Sequence, residues 1–308
     1  MQYRQLGSSG LQVSAIGLGT NNFGRRLDAA ATETVVHAAL DAGVNMIDTS
    51  NSYGGGDSEE FIGRALKGRR HEAVLATKVS SRVSEGPNNA GNSRKHIYDQ
   101  VDVSLRKLRT DYIDLYQIHW WDPNTPIEET LRALDELIRA GKVRYAGCSN
   151  FAAWQVCESH WTAKTLGING FVSMQPHYSM LYRQPEEEMI PFCEKYGIGI
   201  LPYYPLENGF LTGKYRRGQP APDGTRLSEN DRGALTSRNF DILEGLEGFA
   251  SERGHTILEL AFAWLLASPM VSSVIAGATR VEQVEGNAAS AAWSLTAEEV
   301  EEVNAILG

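Results

Sequence analysis

The sequence predicts an α/β protein: a (β/α)8, or TIM, barrel with an N-terminal β-hairpin and an extra C-terminal helix, formed by residues 1–308 as a single domain. Short apolar segments alternate with amphipathic ones, giving eight strand-helix units of similar length from Ile16 onward. Strands separated by helices indicate a parallel sheet. A doubly wound sheet usually opens with G-x-G-x-x-G after its first strand, and residues 17–22 lack the third glycine. Eight units without a linker therefore favour a closed barrel.

The elements follow from apolar periodicity and from turn residues. Gly-Ser-Ser-Gly at residues 7–10 separates two short segments and predicts the hairpin. The predicted barrel strands are 15–19, 44–48, 74–78, 113–119, 143–149, 171–175, 198–204 and 274–278. The predicted helices are 29–42, 58–67, 94–108, 126–140, 153–166, 185–196, segments from 238 onward, and 281–289. Thr296 and Glu299 have the spacing of a capping box, which predicts a final helix to Ile306.

The composition excludes several classes of protein. The net charge of -9 disfavours a nucleic-acid partner, because phosphate backbones attract clusters of Lys and Arg. Cys148, Cys157 and Cys193 are too few and too scattered for a disulfide framework or a zinc site. No signal-peptide pattern opens the chain, and no apolar run approaches the ~18 residues of a membrane span. We therefore expect a cytoplasmic protein with no bound metal and no membrane partner.

Ionisable residues stand where three successive predicted strands end. Asp48 follows an apolar run, with Tyr53 five residues later in a loop of Ser, Asn and Gly, while Lys78 and His119 end the next two strands. In parallel α/β proteins the carboxyl ends of the strands and the loops after them carry the chemistry. Each residue alone has an ordinary explanation, such as a helix cap or a solvated strand end. Their joint occurrence at one edge indicates a functional site.

These four side chains are suited to proton transfer. A Lys ammonium favours the phenolate and so lowers the pKa of a nearby Tyr, and Asp48 can keep Lys78 charged and in place. His119 can donate a hydrogen bond to a carbonyl oxygen or pass a proton. Such a set can protonate an alkoxide as hydride reaches a carbonyl carbon, with no need for a metal. An alternative is an isomerase or lyase that uses Lys78 as a Schiff base.

The same residues carry a resemblance to a known family. Residues 43–54 resemble the G-x-N-x-x-D-T-x-x-x-Y-G segment of the aldo-keto reductase superfamily, and residues 77–78 and 111–119 resemble its next two signatures. Residues 149–150, Gln175 and residues 210–215 resemble its cofactor segments, so the likeness extends over essentially the whole chain.

The resemblance implies an oxidoreductase that transfers a hydride between NADPH and a carbonyl or alcohol substrate, with NADH as a possible cofactor. It implies that Tyr53 is the general acid, that Lys78 and Asp48 tune it, and that His119 orients the substrate carbonyl. Channel β-subunits keep the same four residues, so the alternative is a non-catalytic or weakly catalytic cofactor sensor.

The resemblance also implies the cofactor contacts. Ser149, Asn150 and Gln175 would hold the nicotinamide carboxamide, and the Tyr203 ring would stack beneath the nicotinamide. Basic residues would hold the pyrophosphate and a 2′-phosphate, and the 2′-phosphate contact favours NADPH. The expected residues are Gly19, Thr20, Asn21, Asp48, Ser149, Asn150, Gln175, Tyr203, Tyr204, Pro205, Leu206, Lys214, Arg226, Gly277, Thr279, Arg280, Gln283 and Asn287. Two positions depart from the family pattern: Gly286 replaces a frequent Glu, which weakens the adenine contact, and Glu207 puts a carboxylate near the pyrophosphate unless it points away.

The substrate is expected to be a small carbonyl compound. Phe23, Tyr53, His119, Trp120 and Trp121 would line its pocket, and aromatic walls suit an aldehyde, a sugar or a ring ketone. The Arg-rich loop over residues 216–238 would fold over the cofactor as a lid, or else form a surface insertion. The chain would act as a monomer or a homo-oligomer.

Overall fold

The structure, a computed structural model, describes residues 1–231 and 233–308. The chain opens with two short strands that pair in antiparallel register, β1 (Tyr3–Gln5) and β2 (Gln12–Ser14). Eight further strands form one parallel sheet: β3 (Ile16–Gly19), β4 (Met46–Asp48), β5 (Val74–Val79), β6 (Ile113–Ile118), β7 (Val143–Ser149), β8 (Phe171–Gln175), β9 (Gly199–Ile200) and β10 (Val274–Gly277). Their order in the sheet is β10-β3-β4-β5-β6-β7-β8-β9. The predicted α/β class is confirmed.

The sheet curls until its edge strands approach each other. The Ile200 N–H donates to the Met270 carbonyl at 2.7 Å, and the Ile275 N–H donates to the Pro202 carbonyl at 2.8 Å. These bonds run between the β9 segment and the β10 segment, which are the two ends of the sheet order. A curled parallel sheet of eight strands is consistent with a (β/α)8 barrel.

Helices alternate with the strands along the chain. They are α1 (Ala29–Asp41), α2 (Asp57–Ala65), α3 (Arg94–Leu108), α4 (Ile127–Arg139), α5 (Ala153–Leu166), α6 (Met189–Tyr196), α7 (Arg226–Glu229), α8 (Ser237–Glu252), α9 (Ile257–Ala267), α10 (Val281–Ser290) and α11 (Ala297–Leu307). Thr296 and Glu299 form the capping box at the start of α11. The sheet has two apolar faces, because parallel strands are buried on both sides. The inner face includes Met46, Leu115 and Ile275 and packs on side chains from the β1–β2 pair.

Most predicted elements match to within one or two residues at each end, but two are shorter by four residues or more, and Pro contributes to both. The strand predicted over residues 198–204 is regular only over Gly199–Ile200, since Pro202 has no N–H for the ladder and Tyr204 takes a positive φ of 52°. The helix predicted over residues 185–196 begins at Met189, after a 3₁₀ turn over Gln184–Glu186 that includes Pro185.

Within residues 1–231 and 233–308, no helix combines the length and apolar character needed to cross a membrane. The same residues contain no group of three or more His, Cys, Asp or Glu side chains arranged to hold a metal ion.

Candidate active site

A cavity of about 1000 Å³ opens where the parallel strands end. Ligand pockets usually measure roughly 300–1,000 Å³, so this cavity is large enough for a ligand of considerable size. Residues after β3, β4, β6, β7 and β9 contribute to its wall, and the ends of β8 and β10 and helix α10 complete it. The sheet thus gathers loops from distant parts of the sequence around one space, as parallel α/β folds do.

A buried ion pair lies next to this cavity. Lys78 has no exposed surface, and its Nζ donates to Asp48 Oδ2 at 2.6 Å and to the Thr49 carbonyl at 2.9 Å. Its third contact is the phenolic oxygen of Tyr53 at 3.4 Å. Burial lowers the pKa of Lys78, but the charges of Asp48 and Tyr53 and their hydrogen bonds outweigh burial and raise it overall. Lys78 is therefore an ammonium whose three N–H groups all have acceptors.

Tyr53 is a protonated phenol in this setting. Burial raises its pKa, Lys78 lowers it, and Asp48 raises it, so the pKa lies above the usual value. The expectation of a lowered pKa is corrected here: Lys78 acts in the predicted direction, but loss of solvent costs the phenolate more. The phenol consequently has a proton to donate at neutral pH.

A glycine fixes the loop that carries Tyr53. Gly54 has a positive φ of 59°, and a Cβ at this position would lie 2.5 Å from the Phe23 carbonyl oxygen. Only glycine tolerates both the conformation and the close approach. The loop after β4 is thereby packed against the loop after β3, and Tyr53 is held between them.

His119 follows β6 and faces Tyr53. The two ring centroids are 6.0 Å apart at 76°, and Nδ1 lies 3.4 Å from Ser50 Oγ. Burial, followed by the charge of Lys78, lowers the pKa of His119 to about 3. The imidazole is therefore neutral near pH 7, where it can donate a hydrogen bond but has no extra proton to pass.

We expect this histidine to make the protein less stable in acid. Its pKa is about 3 in the folded state against an ordinary value of 6.5. The contribution of the neutral, buried imidazole to the unfolding free energy is thus complete above pH 6.5 and is lost as the pH falls toward 3. Urea unfolding of His119→Asn should show a shallower fall in unfolding free energy over that range than the wild type. The exposed His71→Asn should follow the wild type, and equal slopes for His119→Asn and the wild type would contradict the assignment.

Asp48 has two further partners on its other oxygen. Gln117 Nε2 donates to Oδ1 at 3.0 Å, and Gln175 Nε2 donates to the same atom at 2.9 Å. Gln175 was expected in the site, whereas sequence reasoning missed Gln117. The available signal was its place two residues before His119, which puts both side chains on one face of a strand.

The residues expected at the nicotinamide end lie together. Ser149 Oγ donates to the Gln175 carbonyl at 2.8 Å. Asn150 takes a positive φ of 56° and donates to the His119 carbonyl at 3.0 Å. The Tyr203 hydroxyl donates to Asn150 Oδ1 at 2.7 Å. The end of β8 and the segments after β6, β7 and β9 are thus connected by hydrogen bonds around one end of the cavity.

Glu207 points away from the cavity. Its Oε1 lies 2.7 Å from His177 Nε2 and accepts a 2.6 Å hydrogen bond from Ser179 Oγ. His177 in turn stacks between Tyr182 at 4.1 Å and Tyr203 at 5.5 Å. The Glu207 carboxylate, which departs from the pattern that the sequence resembles, is therefore hydrogen-bonded behind Tyr203. It adds no negative charge to the cavity surface.

The opposite end of the cavity is basic. Arg26, Lys214, Arg226 and Arg280 all line it. Burial lowers the pKa of Lys214, and the neighbouring guanidinium groups lower it further. An anion bound among these groups would relieve their repulsion, and phosphate suits the guanidinium fork. Arg26 was not predicted, and a basic residue in the loop after β3 was the only signal for it.

Residues 223–226 also line the cavity, within the segment predicted as a lid. Arg26 Nη2 forms a 2.5 Å ion pair with Glu229 Oε1, and Arg226 Nη2 lies 3.4 Å from Asn21 Oδ1. These contacts connect α7 to the loop after β3. Arg232, also in the predicted lid, lies outside the described residues.

Helix α10 forms the far wall. The Thr279 N–H and Oγ1 donate to Gln283 Oε1 at 2.8 and 3.1 Å, and Asn287 lies one turn further along the helix. A Cβ at Gly286 would have no atom within 4 Å, so this glycine leaves a notch in the wall. Every residue expected to contact a cofactor lines the cavity.

The residues expected to contact substrate divide into two groups. Tyr53, His119 and Trp120 line the cavity, and Trp120 stacks on His119 at 5.4 Å. Phe23 is fully buried in the core, and Trp121 packs edge-to-face on Phe151 at 5.2 Å. The expectation for Phe23 and Trp121 is therefore corrected.

Comparison with known proteins agrees with this geometry. The family model described as the aldo/keto reductase family matches residues 15–307. The chain is 39% identical to a probable voltage-gated potassium channel subunit beta of Arabidopsis thaliana, over 93% of this chain and 90% of the relative. It is 35% identical to the aldo-keto reductase YhdN of Bacillus subtilis, over 100% and 94%. It is 33% identical to the L-glyceraldehyde 3-phosphate reductase of Escherichia coli, over 93% and 86%.

Proposed function

Because this chain belongs to the aldo/keto reductase family, we propose that it is an oxidoreductase that transfers a hydride between NADP(H) and a carbonyl or alcohol substrate. The observation that supports this proposal most is the phenol of Tyr53, 3.4 Å from the fully buried ammonium of Lys78 at the cavity. The proposal treats residues 1–308 as one (β/α)8 barrel domain whose carboxyl-end face holds the site.

The cavity fits a nicotinamide dinucleotide by size and by the chemistry of its two ends. Its volume of about 1000 Å³ is at the upper limit for ligand pockets, as a dinucleotide requires. One end offers the amide of Asn150 and the hydroxyl of Ser149 to a carboxamide, with Tyr203 as a flat wall. The other end offers Lys214 and Arg226 to phosphates. When bound, the coenzyme supplies or accepts the hydride.

The protein's own side chains transfer the proton. Tyr53 donates its phenolic proton to the carbonyl oxygen of the substrate, and the ammonium of Lys78 stabilises the phenolate that remains. Asp48 keeps Lys78 charged within the buried site. The neutral imidazole of His119 donates a hydrogen bond to the same substrate oxygen and so fixes its position. In the oxidation direction, Tyr53 accepts the proton again.

We propose NADPH as the preferred coenzyme, with NADH as a possible second one. Arg280 lines the basic end of the cavity and can form a forked contact with a 2′-phosphate. Gln283 and Asn287 lie one turn apart on α10, within reach of the adenosine. The notch at Gly286 removes a possible adenine contact, so this end holds the coenzyme through phosphate more than through base.

We propose a small carbonyl compound as substrate: an aldehyde, a sugar or a ring ketone. Trp120 stacks on His119 and lines the cavity near the phenol of Tyr53, which gives an aromatic platform for a flat or cyclic molecule. The protein is proposed to act in the cytoplasm, as a monomer or a homo-oligomer, without a nucleic-acid or membrane partner.

A second candidate is a coenzyme sensor or regulatory subunit without significant turnover. It is favoured by the 39% identity to a protein named as a probable voltage-gated potassium channel subunit beta. Both candidates bind the coenzyme, so coenzyme binding does not separate them. Turnover on carbonyl compounds does, as does capture of a stoichiometric membrane partner.

The test begins with a fluorescence titration against NADPH and NADH. Trp120 lines the cavity and should report binding as a change in tryptophan emission, which should be lost in Trp120→Phe while the affinity measured by calorimetry stays. A turnover screen over aldehydes, sugars and ring ketones follows. We expect saturable binding with NADPH preferred, and oxidation of NADPH with some of these compounds. Binding without turnover on any compound would favour the sensor, and no binding of either coenzyme would contradict both candidates.

A further inference from the structure

Gln117 is a polar side chain enclosed within the sheet. It has no exposed surface, and it lies on β6 two residues before His119. Its Nε2 donates to Asp48 Oδ1 at 3.0 Å. The nitrogen must face the carboxylate, because an ionised carboxylate has no proton to give. Gln117 does not line the cavity, so it has no route to direct contact with a ligand there.

The other end of this amide has no partner. Gln117 Oε1 is buried and makes no hydrogen bond with the residues that the structure describes. A buried acceptor without a donor costs stability, and interior positions of such sheets are usually filled by branched apolar residues. A Cβ at Gly147 on the neighbouring strand would lie 2.4 Å from Ser173 Oγ and 3.3 Å from Gln117 Cγ, so the glycine leaves space that Ser173 and the Gln117 side chain share. A residue that costs stability and is given space is better explained by function than by folding.

We propose that Gln117 is a positioning residue. It donates to Asp48 Oδ1 together with Gln175 and keeps Oδ2 turned toward Lys78. It thereby sets how strongly the Lys78 ammonium interacts with Asp48 and how strongly with the Tyr53 phenol. This inference rests on the proposed hydride-transfer function, in which Tyr53 is the proton donor. Asp48 then receives one charged and two neutral donors. The two amides disperse the carboxylate charge, so Asp48 holds Lys78 without drawing it away from the phenol.

The environment of the phenol defines what the amide can affect. The titratable and charged groups that face Tyr53 are Lys78 from β5, Asp48 from β4, His119 after β6, and Tyr203 and Tyr204 after β9. The negative charge of Asp48 raises the pKa of Tyr53, and the positive charge of Lys78 lowers it. Removing the Gln117 amide donor strengthens the effect of the Asp48 charge on the Tyr53 phenol and weakens the effect of the Lys78 charge. The phenol should then become a weaker acid.

The test compares Gln117→Met, which keeps the shape and removes the donor, with Tyr116→Phe. Tyr116 is the adjacent residue on β6, is equally buried, and has a hydroxyl without a partner among the described residues. Tyrosine labelled with ¹³C at the ring Cζ reports phenol ionisation by NMR, and Tyr53→Phe assigns the Tyr53 signal. We expect Gln117→Met to move the onset of Tyr53 ionisation upward by about one pH unit and to lower kcat for carbonyl reduction about tenfold, with KM little changed. Tyr116→Phe should match the wild type in all three.

An unchanged Tyr53 titration in a folded Gln117→Met protein would overturn the proposal. Gln117→Leu serves as the second variant if Met disturbs folding, since both are close to Gln in volume. The NMR titration requires no substrate. If the wild type turns over no carbonyl compound, the proposed function fails, while the Tyr53 titration still decides the role of Gln117.

Discussion

Tyr53→Phe is expected to lower turnover of a good carbonyl substrate by about 100- to 10,000-fold, the range that a positioned proton donor contributes. The substitution removes one oxygen atom and leaves the ring that meets His119 edge-on at 6.0 Å. Coenzyme affinity should be unchanged, because the amide and basic ends of the cavity are untouched. Turnover under saturating coenzyme, together with a binding titration, measures both quantities.

The fold should tolerate this change. Lys78 loses its longest hydrogen bond, at 3.4 Å, and keeps Asp48 and the Thr49 carbonyl. Tyr116→Phe is the matched control, since it removes a buried phenolic oxygen on the far side of the sheet and should leave turnover intact. A Tyr53→Phe protein that keeps more than a few per cent of wild-type turnover would refute the role given to this phenol.

Lys78→Met is expected to damage both stability and activity. Asp48 would remain buried without its ion partner, and breaking a buried pair costs about 3–5 kcal/mol of unfolding free energy. Turnover should fall at least as far as in Tyr53→Phe, because the phenolate that forms loses its stabilising charge. Urea unfolding and steady-state kinetics on the same preparation measure the two losses separately.

A double variant separates the two effects of this lysine. Asp48→Asn combined with Lys78→Met leaves no buried charge behind and should recover most of the lost stability, while turnover stays low. If Lys78→Met alone proves as stable as the wild type, Asp48 is neutral in the folded protein. The account of a charged pair beneath the phenol would then be wrong.

The α/β class and most of the residues that line the cavity could be predicted from sequence, for a physical reason. Apolar alternation specifies parallel strands, and a parallel sheet gathers the carboxyl ends of its strands on one side. Asp48, Lys78 and His119 therefore had to lie near one another once the strands were assigned. Ser149 and Gln175 followed from the same rule.

Side-chain direction in loops could not be predicted in this way. Nothing in the residue types indicates that Trp120 faces the cavity while Trp121 packs on Phe151, or that Phe23 is buried in the core. The sequence left open whether Glu207 faces the phosphates or points away, and it faces His177 behind the cavity wall. These outcomes depend on φ and ψ angles that loop sequence leaves open.

The net direction of the Tyr53 pKa shift also could not be predicted from the sequence. The charge partners of Tyr53 could be named in advance, but the sign of its net pKa shift depends on how completely the phenol is buried. Gln117 was missed for a related reason. A single Gln in an apolar strand indicates no chemistry by itself. Its place two residues before His119 was the available signal, and its 3.0 Å contact with Asp48 shows what it does in the site.

The central claim is that a hydride passes between a nicotinamide and a carbonyl carbon within this cavity. It is tested most directly by reducing an accepted carbonyl compound with NADPH deuterated at C4 of the nicotinamide, prepared separately in each stereochemical form. With Tyr203 as a wall on one side, only one face of the ring can meet the substrate. We therefore predict deuterium at the former carbonyl carbon from one form and none from the other. Product that carries no deuterium from either form, or equal deuterium from both, would contradict the account.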